Sequence, residues 1–184
     1  MHYDEAPGAG RPDNDDMAAH PEGGGNGNKT RNQTMDMADA GQLPTAEVPA
    51  GFKPINLNDG YMQSFGQVYY DKARQVMAVR VGPQHLNGLG ITHGGMLATL
   101  ADNAIGLTMM RGRARGEDIA PGVTVTLSLE YLGSGRVGDW LEAHVTLDRM
   151  GGRLRFGSCR LMVDDRCLLK ASAVFAVIQA PRPA

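Results

Sequence analysis

From position 61 onward, hydrophobic and polar residues alternate in strand-like runs that are interrupted once by a helical pattern. YMQSFGQVYYD (Tyr61 to Asp71) and RQVMAVRVG (Arg74 to Gly82) predict a β-hairpin, with Val76, Ala78 and Arg80 alternating against Met77, Val79 and Val81 in its second strand. After a Gly/Asn loop, residues 93 to 111 predict a helix. Met96, Leu97, Leu100, Ala101, Ala104, Ile105, Leu107 and Met109 cover most of its circumference. A helix apolar nearly all round is buried on more than one side. Four strand patterns follow: Gly122 to Gly133, Asp139 to Met150, Arg153 to Asp165 and Arg166 to Ile178. In the first, Val123, Val125, Leu127, Leu129 and Tyr131 alternate with Thr124, Thr126, Ser128 and Glu130. Gly151-Gly152 and Asp164-Asp165 read as two-residue turns, so these four strands are expected to form an antiparallel meander.

Two strands, one buried helix and four strands make an α+β fold in which a curved antiparallel sheet of about six strands encloses one long central helix. One helix cannot cover both faces of such a sheet, so a partner subunit is expected to cover the rest.

The segment before this pattern has a different composition. No Leu, Ile, Val, Phe or Trp precedes Leu43, and Gly, Asn, Pro and acids dominate. Residues 1–48 are therefore expected to be a disordered low-complexity tail, leaving residues 49–184 as the folded domain. The tail lacks the apolar core of a secretory signal, and its acids argue against an organelle address. No apolar run reaches the length of a membrane span, and the longest apolar helix contains Asp102 and Asn103. A cytoplasmic protein without membrane partners is expected.

Charge divides along the same boundary. Residues 1–50 hold three Lys/Arg against nine Asp/Glu, a balance of −6 that leaves +4 for the remainder. A mildly basic body suits an anionic small ligand, while the scattered arginines and few aromatics exclude a nucleic-acid footprint. Cys159 and Cys167 fall on neighbouring strands. A two-residue turn at Asp164-Asp165 would pair Cys159 with Lys170 and Cys167 with Met162, so both thiols are expected to be reduced.

Several familiar chemistries are absent. GLGITHG has GxGxxxG rather than dinucleotide spacing, and neither a phosphate-binding P-loop nor GxSxG occurs. His85, His93 and His144 have no carboxylate or cysteine at ligand spacing, so neither a metal nor a cofactor is expected. More informative is HGG at the helix start. The first N–H groups of a helix have no internal acceptor and favour negative charge there, and Gly94 and Gly95 leave the backbone open to a ligand. The same turn also reads as a plain Gly-rich helix entry capped by Thr92. Asp102 has two readings as well. With Thr99, Asn103 and Gly106 it forms either a narrow solvent stripe or the wall of a cleft.

NGLGITHGGMLATLADNA (Asn87 to Ala104) resembles the signature of the PaaI-like hotdog-fold acyl-CoA thioesterases: an Asn, then His-Gly-Gly at a helix start, then Asp two turns along. The likeness covers about residues 50 to 180. It implies a hotdog fold, hydrolysis of an acyl- or aryl-CoA to free acid and CoA, and an assembly that is a homodimer or homotetramer. It further implies that the Gly94 N–H stabilises the oxyanion and that Asp102 is the general base that activates water or, alternatively, a nucleophile that forms an acyl-enzyme. His93 and Asn87 would position the thioester and help the leaving thiolate, and Thr124 would hold the attacking water. Gly95 would border the substrate. Apart from the likeness, Arg111, Arg113 and Arg115 follow the helix in a segment that has a few residues more than the family pattern, and they read either as a solvated basic loop at a helix C-terminus or as contacts for the CoA phosphates. Asp102 lies about 12 Å along the helix from its start, too far to serve the same carbonyl within one chain. In the family, the helix start and the base come from two subunits. The reading from another functional class is a non-catalytic hotdog module that binds or senses acyl-CoA.

Overall fold

The computed structural model describes residues 47–57, 60–111 and 120–178. Seven antiparallel strands form one sheet: β1 Phe52–Ile55, β2 Val68–Asp71, β3 Val76–Arg80, β4 Gly122–Tyr131, β5 Trp140–Met150, β6 Leu154–Val163 and β7 Arg166–Val177. Their order is β1-β2-β3-β5-β6-β7-β4. A short helix α1 (Gly60–Gln63) precedes β2, and the long helix α2 (Gly94–Arg111) connects the two halves of the sheet.

The α+β arrangement of a sheet around one long helix is the expected one, with two local differences at its start. Tyr61 to Gln67 forms α1 and a turn rather than strand, because Met62 and Phe65 drop into the core at helical spacing. β1, FKPI, carries a lysine and a proline, and its alternation is too short to stand out. Pro54 is tolerated there because β1 is an edge strand. The predicted four-strand meander holds only for β5, β6 and β7. β4 pairs with β7, so the β4–β5 connection passes to the other side of the sheet. Turn composition gives no information on that choice.

The core lies between α2 and the inner sheet face. Leu97, Leu100, Ala101, Ala104 and Ile105 pack against Met77, Val79, Leu141, Leu161 and Leu169. Gly157 on β6 lets the helix lie close: a Cβ there would meet Ile105 Cγ2 and Met109 Cε at 3.1 Å. Both cysteines are free. Cys167 faces Met162 as expected, but Cys159 faces Ala171 rather than Lys170, because the β6–β7 register shifts beside Leu161 and Met162. Burial pushes the Cys159 thiol up to about 12.

Two surfaces are left open by this packing. β4 is an edge strand of ten residues with one charged side chain, Glu130, and Val123, Val125 and Tyr131 on it are at least half exposed. On α2, Gly95, Ala98, Thr99, Asp102, Asn103 and Gly106 are incompletely buried at spacings of three and four.

Candidate active site

The start of α2 is fixed from three directions. Thr92 is buried and does not cap the helix. Its Oγ1 instead accepts from Gly135 N–H at 2.9 Å, while its own N–H donates to Gly135 O. The cap is His93, whose Nδ1 accepts the Gly95 N–H at 2.9 Å, so a neutral ring carries its proton on Nε2. The His93 N–H donates to His85 O at 2.8 Å. Among the described residues, nothing accepts the Gly94 N–H, one of the orphan donors of the first turn.

Asn87 organises the approach to this turn. Its Oδ1 accepts from Leu89 N–H at 2.9 Å and Ile91 N–H at 3.4 Å, which leaves its amide NH2 group for a ligand. His85 is structural: Nδ1 accepts from Gly82 N–H at 2.9 Å and Nε2 donates to Phe65 O at 2.6 Å. His144 lies on the outside of the sheet, 3.0 Å from Glu142. No group of three His, Cys, Asp or Glu able to hold a metal ion occurs among the described residues.

Asp102 lies on the half-covered strip of α2, and its Oδ1 accepts a 2.7 Å hydrogen bond from Thr124 Oγ1. Simple alternation along β4 would point Thr124 outward with Thr126 and Ser128. A β-bulge reverses this. Thr124 pairs with Phe175 and Thr126 with Val174, so Val125 is the extra residue and Thr124 turns toward the helix.

The remaining expected residues separate. Arg111 is at the far end of α2, stacked 4.7 Å over the Tyr70 ring, and with Lys72 and Gln75 it lines a groove of about 430 Å³. Burial raises the Tyr70 hydroxyl above its usual range, partly offset by Arg111. Arg113 and Arg115 lie outside the described residues. Beside the helix start, Tyr61, Phe65, Leu86, His93, Gly95 and Met96 border a second groove of about 270 Å³. Tyr61 and Phe65 do not stand out in the sequence, where the stretch from Tyr61 to Asp71 has the pattern of a single strand. Nor does the pattern reveal that Tyr131, at the end of β4, hydrogen-bonds Gly94 O through its hydroxyl at 3.1 Å. One spacing does foreshadow that contact: Thr124 and Tyr131 stand at opposite ends of the strand beside α2, as Asp102 and Gly94 stand along the helix.

Comparison with known proteins gives this geometry a family. The family model described as Thioesterase superfamily matches residues 89–169. "Putative esterase PA0474" of Pseudomonas aeruginosa is 41% identical over 131 residues, covering 70% of this chain and 96% of that protein. The chain belongs to the thioesterase superfamily. It is a thioester hydrolase of hotdog fold. Acyl-coenzyme A thioesterase 13 of Mus musculus is 33% identical over 86 residues, 47% of this chain and 59% of that protein. The BH2602 protein of Bacillus halodurans, solved with CoA, is 26% identical with a TM-score of 0.57, covering 65% of this chain and 77% of that one. In this thioesterase the matched stretch takes in Gly94, Asp102 and Thr124, while Asn87 falls just before it.

Proposed function

We propose that this thioesterase hydrolyses an acyl- or aryl-CoA to the free acid and CoA at a site shared by two copies of the chain. The substrate carbonyl sits against the Gly94 N–H of one copy, where the helix dipole and an unclaimed donor favour the oxyanion. Asp102 of the other copy takes a proton from water as the water oxygen bonds to the carbonyl carbon. The C–S bond then breaks as the oxyanion re-forms the carbonyl, and the sulfur leaves as the thiolate and takes up the proton that Asp102 received from the water. His93 presents Nε2–H to the thioester, with the Asn87 amide and the side-chain-free Gly95 beside it, and Thr124 holds Asp102 and the water in line.

The observation that carries this reading is that Asp102, bonded to Thr124 at 2.7 Å, lies on the strip of α2 that its own sheet covers only in part. The open, apolar β4 edge beside that strip supports pairing with a second copy. Two-fold pairing runs the helices antiparallel. The partner's Arg111 then stands about 13.5 Å beyond its Asp102, past the carbonyl that this Asp102 serves and away from the helix start of its own chain. That distance suits CoA phosphates at the end of the pantetheine arm. The catalytic domain is read as residues 49–184, in the cytoplasm. Arg80 donates to Glu47 O at 3.0 Å, which extends its docked edge by two residues.

Complementation tests the shared site. Asp102→Asn removes the base, and Gly94→Pro removes the donor at a first-turn position that tolerates proline. Each variant alone is expected to lose most acyl-CoA hydrolysis, measured by thiol release. Random mixing makes half the dimers mixed with one of two sites intact, so co-expression is expected to restore about a quarter of the activity. A dead mixture of well-folded dimers overturns the sharing. Stoichiometric acyl-CoA binding by the wild type without turnover favours the binding module instead.

A further inference from the structure

The peptide group between Gly94 and Gly95 is held at both ends. Its carbonyl accepts from Tyr131 Oη–H at 3.1 Å, and its N–H donates to His93 Nδ1 at 2.9 Å. The phenol also packs over Gly94. A Cβ at that position would lie 3.3 Å from the ring and 3.5 Å from its hydroxyl oxygen. Tyr131 is the last residue of β4, and Leu132 N–H and Gly133 N–H, immediately beyond it, both donate to Leu168 O. The hydroxyl therefore approaches the helix start from an anchored backbone.

We infer that Tyr131 is a positioning residue for the helix-start half of the site, acting on His93 through the Gly94–Gly95 peptide. A hydrogen bond to a peptide carbonyl polarises the whole amide and strengthens its N–H as a donor. Here that donor is the one His93 Nδ1 accepts. Tyr131 thus holds the imidazole with Nδ1 as acceptor and Nε2 as the protonated nitrogen facing outward. It also fixes the plane adjoining the free Gly94 N–H. Sequence gives Tyr131 the appearance of an apolar strand position, yet it remains about half exposed (53%) and uses its hydroxyl on backbone.

This inference rests on the proposed role of His93, and the test separates the two. Tyr131→Phe keeps the ring over Gly94 and removes only the hydroxyl. The expected result is a fall in kcat of about 2- to 12-fold, the range set by one net hydrogen bond, with KM little changed. The second readout needs no substrate: nitrogen-15 shifts of the His93 ring in the labelled full-length protein. Wild type is expected to show the Nε2–H tautomer at neutral pH, and Tyr131→Phe a shift toward a mixture. An unchanged His93 tautomer in Tyr131→Phe overturns the inference whether or not the protein hydrolyses acyl-CoA. A changed tautomer with unchanged kcat overturns its catalytic consequence and counts against the role of His93.

Discussion

Thr124→Val isolates one hydroxyl of the proposed site. Valine has nearly the shape of threonine and suits a strand, so the variant is expected to fold and assemble as the wild type does. It removes the single donor that Asp102 Oδ1 receives across the β4–α2 gap at 2.7 Å. Hydrogen bonds to a charged acceptor contribute about 1.5–3 kcal/mol when shielded. Thr124 is exposed and Asp102 only half-buried, so about 1–2 kcal/mol is the appropriate range. If the bond aims the base in the transition state, that range corresponds to a loss of about 5- to 30-fold in kcat with little effect on KM. The assay is steady-state thiol release from acyl-CoA at fixed pH, with Thr124→Ser as the control that keeps the donor and loses only a methyl. A Thr124→Val enzyme within twofold of wild type refutes the reasoning. So does a Thr124→Ser enzyme as impaired as the valine variant.

Two further predictions concern the framework. Gly157→Ala places a methyl 3.1 Å from Ile105 Cγ2 and Met109 Cε and 3.3 Å from Thr146 O; the side chains can yield but the carbonyl cannot, so a loss of about 1–3 kcal/mol and a Tm several degrees lower are expected in thermal unfolding. Burial pushes the Cys159 thiol up to about 12 in the folded chain, above the ordinary thiol value of 9.0, so the unfolded state loses its proton first as pH rises; stability is expected to be retained below pH 9 and to fall between about 9 and 12, and urea titrations of Cys159→Ala are expected to show a shallower fall.

The two halves of the candidate site were legible in the sequence to different degrees. HGG at a helix start and Asp102 two turns along are local features, set by helical period and by the orphan N–H groups of a first turn, and the helix runs within a residue of its expected start. The capping was less legible. Thr92 has the right residue type, but its hydroxyl is drawn away by Gly135, a residue 43 positions distant, and His93 takes the role.

Thr124 shows the limit most clearly. Its residue type and place early on the strand could be read, and the family likeness assigned it to the site. Its direction could not be read from alternation, which points it away from Asp102. Only the bulge at Val125, a misfit between two paired strands, turns it inward. The sequence by itself determined the elements whose signals are local: one helix apolar nearly all round, long alternating strands, and a donor and an acid at fixed helical spacing. Tertiary structure decided which strand lies beside which, that β4 ends the sheet open, and that Tyr131 and Thr124 reach the two ends of that helix. The reason is that strand partners and register are set by packing among distant residues, and no window of the chain contains both sides of those contacts.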